Sequence, residues 1–161
     1  MATVLDKERT GTQAQVSGNL LTLLNQQVAN WAFLHIKLHQ HHWFVKGPQF
    51  ITLHEKFEEL YTAAAQTLDE LAERLLALNG KPVSTLKEIT ELATIKEHAP
   101  LTSAEAMIKS VRDDFKQLIS ELEQTMQAAE GASDEGTHDM LNGIRTELQK
   151  QVWMLDSCLQ S

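Results

Sequence analysis

One cysteine, Cys158, in a chain of 161 residues leaves nothing to close an intrachain disulfide or a thiolate zinc cluster. That scarcity suits a reducing compartment, so the cytoplasm is the expected location. No apolar run approaches about 18 residues, and the opening stretch MATVLDKERTG has no hydrophobic core, so neither a membrane span nor a secretory signal is expected. Proline and glycine are also sparse, at three and seven residues against 42% hydrophobic content, which excludes a disordered chain and leaves long stretches free of helix breakers. Basic residues are outnumbered, 14 Lys and Arg to 22 Asp and Glu, giving a net charge of −8. This balance disfavours nonspecific binding to phosphate polymers and favours small cations, so metals are expected as partners ahead of nucleic acid.

The chain is organised around His42 to Glu73. From Gln49 to Asn79, Phe50, Leu53, Phe57, Leu60, Leu68, Leu71, Leu75 and Leu78 recur at helical spacing with no internal Gly or Pro, which predicts one long helix. His54, Glu58, Asp69 and Glu73 then fall within a sector of about 100° and form a single polar stripe. Imidazole beside carboxylate points to a metal, while a solvated face of an amphipathic helix would carry charges in the same way.

The His54/Glu58 pair lies roughly 16 to 28 Å along the axis from Asp69/Glu73, too far for one chain to close both around one ion. The four positions are symmetric about a point between Ala63 and Ala64. An antiparallel second copy would align His54 and Glu58 with the other chain's Asp69 and Glu73, so a two-fold dimer would make two identical sites. Thr62 and Ala65 stand on that face at the crossing point, small enough for close approach.

Residues 1–12 carry no periodicity and no net charge and read as a flexible N-terminal arm, with a bundle domain over 13–161. A first helix is expected from about Gln13 to Val45, ended by Gly47-Pro48, with Ile36 and Trp43 among its inward-facing apolar positions. Its last third holds His35, His39 and His42 on one face. His35 and His39 are expected as half-buried histidines bonded to polar neighbours, and His42 can return beside His54 because only a short link separates the helices.

Asn79-Gly80-Lys81-Pro82 ends the second helix, a short one runs from about Ser84 to Glu97, and Thr102 with Glu105 reads as a capping box opening a third long helix. Ser133 or Asp134 can cap a fourth, reaching about Leu159. The expected class is all-α: a four-helix bundle with a short extra helix between the second and third long helices. Between the last two, Glu130, Asp134, Glu135 and Asp139 have no basic neighbour. Acidic groups favour a helix N-terminus anyway, and the same cluster would draw cations, which makes it a candidate cation entry. Glu135 and His138 form the sole Glu-x-x-His motif, interrupted by Gly136, so a carboxylate and histidine metal site within one chain has little support.

At His42-Trp43-x-x-Lys-Gly-Pro-x-Phe, Leu53-His54-Glu55-Lys56 and Asp69-Glu70-x-x-Glu73-Arg74, in the spacing His-x11-His-x3-Glu-x10-Asp-x3-Glu, the chain resembles the Dps family of miniferritins. LLALNGKP, TLKEITE, HDML and VWML extend the likeness over nearly the whole chain. The resemblance implies a ferritin-like bundle, a hollow homo-oligomer of twelve subunits, and oxidation of Fe(II) by hydrogen peroxide in preference to oxygen, with ferric mineral stored inside. It implies ferroxidase ligands His42, His54 and Glu58 from one subunit and Asp69 and Glu73 from another. Glu58 departs from the Asp of many relatives, which touches the coordination mode more than the activity.

Trp43 matches the family's indole thought to intercept stray oxidising equivalents, and could equally be a large core aromatic. DNA-condensing members use basic tails. The arm here is neutral and no basic residue follows Lys150, so DNA binding is not carried over, although a DNA-protecting cage with little catalysis is the alternative function. Protons compete with metal for His42 and His54, so oxidation is expected to weaken below about pH 6.

Overall fold

The computed structural model describes the backbone of residues 4–159 and the side chains of residues 18–159. Four long helices and one short one make up the fold: α1 Val4–Phe44, α2 Phe50–Ala77, α3 Leu86–Leu92, α4 Ala104–Gly131 and α5 Glu135–Cys158. There is no strand among the described residues. The expected all-α architecture is thus present, with the short helix between the second and third long ones. The first three residues of the arm expected at 1–12 lie outside the described residues, and from Val4 onward its backbone is drawn as part of α1.

α1 packs along α2 and α4 along α5, α1 also meets α4, and α3 lies against α1. Leu24, Leu34 and Leu38 of α1, Phe57, Leu71 and Leu75 of α2, Phe115, Leu118 and Leu122 of α4, and Leu141 of α5 are fully enclosed and form one continuous core. Two residues of the expected α1 stripe are not in it. Ile36 is 64% and Trp43 65% exposed, because helical apolar spacing marks every face that will be covered, including faces that a single chain leaves open.

The helix ends follow local chemistry. α2 stops where Asn79 takes φ 60° and Gly80 N–H donates to Leu75 O at 2.9 Å, the left-handed closure that Asn and Gly permit. The capping box falls on α3, where Thr85 and Glu88 satisfy each other's backbone N–H, and not at Thr102. Ser103 caps α4 instead, accepting from Ala106 N–H. α3 ends at Leu92, earlier than expected, because Asn30 reaches across from α1 and takes the Thr94 N–H at 2.8 Å, drawing that segment into an extended path.

Two buried polar groups on α1 have consequences for stability. Lys37 Nζ lies 2.6 Å from Asp114 Oδ2, with the side chains only 6% and 11% exposed; the geometry is that of an ion pair more than an aligned hydrogen bond. Burial pushes the Asp114 carboxyl above its ordinary range, against the pull of Lys37. His41, one residue before His42, is enclosed with neither ring nitrogen hydrogen-bonded, and stacks on His98 at 5.4 Å.

Burial, followed by repulsion from His98 and Lys37, lowers the His41 pKa from 6.5 to about 3. Its contribution to stability is therefore complete above pH 6.5. As pH falls below that, the unfolded chain gains a proton that the folded chain refuses down to about pH 3. At 1.36 kcal/mol per unit the loss approaches, on the order of, 5 kcal/mol. Denaturant titrations from pH 7 to 4 should show stability falling steeply in the native sequence and less steeply in His41→Phe. Equal slopes would show that His41 is not the buried acid-sensitive group.

Candidate metal centre

The link 45–49 between α1 and α2 folds His42 back beside His54, and their rings stack at 3.7 Å and 19°. Each backbone carbonyl takes the other ring's nitrogen: His42 Nδ1 donates to His54 O at 2.8 Å and His54 Nδ1 to His42 O at 2.9 Å. A carbonyl can only accept, so both Nδ1 atoms must carry a proton, and in the neutral ring it is then Nε2 that keeps the lone pair by which imidazole binds a metal. The reciprocal bonds also lock both rings in orientation.

One turn after His54, Glu58 brings its carboxylate to the same place, so that one ligand atom from each of His42, His54 and Glu58 lies within 4.8 Å of the others. Ligands about 2.1 Å from a shared ion are at most about 4.2 Å apart. That bound is close to the span of a single shell, and the exposed Glu58 has the reach to adjust to an ion. His42 is buried and His54 half-buried, so this centre has a dry imidazole floor and a wet carboxylate rim.

Asp69 and Glu73 do not join these three within the chain. Both are exposed on α2, beyond the exposed small residues Thr62, Ala63 and Ala65. Glu58, Asp69 and Glu73 make no hydrogen bond or ion pair among the described residues, whereas neighbouring acids do: Glu59 takes Lys56 and Glu70 takes Gln66. Trp43, Phe44, Phe50 and Ile51 surround the link between the two helices and are 65%, 49%, 38% and 63% exposed. His35 and His39 behave as expected, with Nδ1 of each bonded to a carbonyl, of Tyr61 and His35 respectively.

The acidic segment forms a separate hollow of about 340 Å³, lined by Glu130, Asp134, Glu135, His138 and Asp139. Asp134 is committed to the fold. It caps α5 through Thr137 N–H at 3.0 Å, pairs with Arg74 of α2 at 2.6 Å, and is held below the ordinary carboxylate range chiefly by Thr137 and Arg74, which outweigh its partial burial. Glu130, Glu135 and Asp139 are exposed.

Set beside known proteins, residues 21–161 match the family described as "Ferritin-like domain". The chain is 51% identical to "DNA protection during starvation protein 2" of Bacillus anthracis, over 87% of this chain and 96% of that one. It superposes on the crystal structure of a Dps protein from Bacillus brevis with a TM-score of 0.89 and 49% identity, covering 91% of this chain and 98% of that one. The chain belongs to the Dps family of ferritin-like proteins. A further Dps protein, from Vibrio cholerae O1, is described as a member of a broad superfamily of ferritin-like diiron-carboxylate proteins; it is 32% identical with a TM-score of 0.87, covering 91% of this chain and 92% of that one. No described helix of this Dps chain is long and apolar enough to cross a membrane.

One residue beside the metal centre is not marked by the sequence motifs. Tyr61 stands edge-on to the His42 ring at 5.2 Å, and its position two turns after His54 on one helix face was the available signal. His138, which the sequence pairs with Glu135 in the Glu-x-x-His motif, also lines the acidic hollow.

Proposed function

We propose that this Dps protein is a ferroxidase and iron store that oxidises Fe(II) with hydrogen peroxide and holds the ferric product within a closed homo-oligomer, of twelve subunits by family likeness. The observation that carries the reading is the His42/His54/Glu58 cluster, whose two locked imidazoles both present free Nε2 atoms. Iron is the substrate. The chain supplies imidazole nitrogen donors for ferrous ion and carboxylates whose charge favours the ferric product.

Asp69 and Glu73 of a second copy complete the site in this reading. Support comes from the symmetry of the stripe, the exposed small residues between its halves, and the apolar rim of Trp43, Phe44, Phe50 and Ile51 that a second copy would cover. Two ferrous ions and one peroxide then balance as 2 Fe2+ + H2O2 + 2 H+ → 2 Fe3+ + 2 H2O, with no one-electron oxygen species released. Removing both iron and peroxide would protect DNA without contact with it, in keeping with the net charge of −8. Native mass combined with iron content after ferrous and peroxide loading tests the function. A large assembly retaining many ferric ions per chain is expected, and a small species retaining none would overturn it.

Iron enters near Glu130, Asp134, Glu135 and Asp139. Neutralising the three uncommitted acids, as Glu130→Gln, Glu135→Gln and Asp139→Asn, should slow iron uptake while assembly is kept. Added salt should slow the native protein as well, since the field is screened over about 8 Å at physiological ionic strength. Asp134→Ala is a different case, expected to cost roughly 1 kcal/mol by removing the α5 cap. Uptake at the native rate in the triple variant would remove this entrance.

A further inference from the structure

The bundle holds a cavity of about 120 Å³ that the metal chemistry does not use, bounded by side chains from all four long helices. α1 packs along α2 and α4 along α5, but α2 and α5 do not close on each other, and the cavity is lined from both sides of that gap. Leu60 of α2, Phe115 of α4 and Leu148 of α5 give it apolar walls. Two polar atoms of its lining residues have no partner. Trp31 is 5% exposed, and its Nε1–H, a donor that cannot accept, meets no acceptor. Gln151 is 7% exposed, and its Nε2 donates to Glu147 at 2.8 Å, which sets the amide's orientation because an ionised carboxylate only accepts. Its Oε1 is left without a donor. Burying a donor and an acceptor unmatched is unfavourable, and a molecule that pairs with both removes the penalty.

Charge narrows the class of molecule. Glu59 and Glu147 also line the cavity, with exposed carboxylates, and each is paired with a lysine of its own helix, Lys56 at 3.1 Å and Lys150 at 3.6 Å. An anion would meet two carboxylates, and a cation would have to carry its charge past apolar walls to a donor that repels it. His42, His54 and Glu58 are the one group among the described residues whose ligand atoms converge as for a metal, and none of them lines this cavity. We propose that the cavity is a binding site for a small neutral molecule with a hydroxyl group on a short apolar body, a primary alcohol of about five non-hydrogen atoms. The alcohol oxygen accepts from Trp31 Nε1–H, its O–H donates to Gln151 Oε1, and its carbon chain lies against Leu60, Phe115 and Leu148. The size follows from the volume, since a cavity of about 150 Å³ holds benzene. The site stands apart from the ferroxidase reading and does not depend on it.

The test uses the assembled, iron-free protein carrying Trp43→Phe and Trp153→Phe, which leaves Trp31 as the sole tryptophan of the three. Titration with 1-butanol should shift the Trp31 emission to the red along a saturating curve, because the indole N–H gains an acceptor. n-Pentane, equal in size but without a hydroxyl, should give no such shift, and butyrate and butylammonium should bind at least about tenfold more weakly, since each would bring a charge against apolar walls. Gln151→Leu should weaken 1-butanol binding several-fold. Crystals of the native protein soaked in 1-butanol need no variant, and should show the alcohol oxygen within about 3 Å of both Trp31 Nε1 and Gln151 Oε1. Alcohol in the crystal without saturable binding in solution would be binding at crystal concentration only and would overturn the proposal. So would a cavity filled by water, or by a side chain of a neighbouring subunit, that 1-butanol does not displace. Butylammonium binding as tightly as 1-butanol would overturn the neutral site in favour of a cationic one.

Discussion

His54→Ala and Glu73→Ala should each be inactive as pure proteins, and unfolding and refolding the two together should restore about a quarter of native ferroxidase activity, as two-fold symmetry requires. His54 sits in the clustered half of the site and Glu73 is far from it along the same helix, so a single chain cannot supply both to one ion. In a pure variant every site lacks one ligand. In a mixed dimer one site collects both lesions, and the other takes an intact His54 from one chain and an intact Glu73 from its mate. Random pairing makes half the dimers mixed, and half the sites in those are whole. A site built within one chain could never be rescued in this way. Confirmed mixed dimers without recovered activity would remove the intersubunit arrangement.

Lys37→Met is expected to be the most destabilising single change described, at about 3 to 5 kcal/mol, because it leaves the Asp114 carboxylate enclosed without its counter-charge. Lys37 is 7% exposed and Asp114 8%, so solvent screens little of this interaction. Lys37 also donates to Lys96 O at 3.1 Å, tying α1 to the segment after α3. The companion change Asp114→Leu, made together with Lys37→Met, should return most of the loss, since it is the stranded charge and not the absent pair that costs so much. Denaturation at one fixed protomer concentration reads both effects, a necessary control because assembly adds its own stabilisation. A double variant as unstable as Lys37→Met alone would show that packing around the lysine stem, and not the buried carboxylate, sets the cost.

The helices were legible because each carries its own periodic signal and its own stop, as Asn79-Gly80 shows at the end of α2. The capping error at Thr102 arose because Ser103 offers the same chemistry one residue later, and only the approach of the chain selects between them. The early end of α3 was not legible, since it is set by Asn30, sixty-four residues away in sequence from Thr94. Helical spacing assigns Ile36 and Trp43 to the core, yet both are exposed, because periodicity reports that a face is apolar without reporting what covers it.

At the centre, the sequence could bring His42 near His54 through the short link, but the reciprocal Nδ1 to carbonyl bonds that free both Nε2 atoms depend on the meeting of two helix ends. His41 was overlooked beside its neighbour for a related reason. Adjacent residues on a helix point about 100° apart, so His42 faces the ligands while His41 enters the core against Phe57.

The most direct measurement of the central claim is the anomalous-scattering map of a crystal of the assembled protein soaked in ferrous iron or zinc. A peak is expected within bonding distance, about 2.1 Å, of Nε2 of His42 and His54 in one chain and of a carboxylate oxygen of Asp69 or Glu73 in a second. A metal enclosed wholly by one chain, or no metal at His42 and His54 under conditions in which the protein oxidises iron, would contradict it.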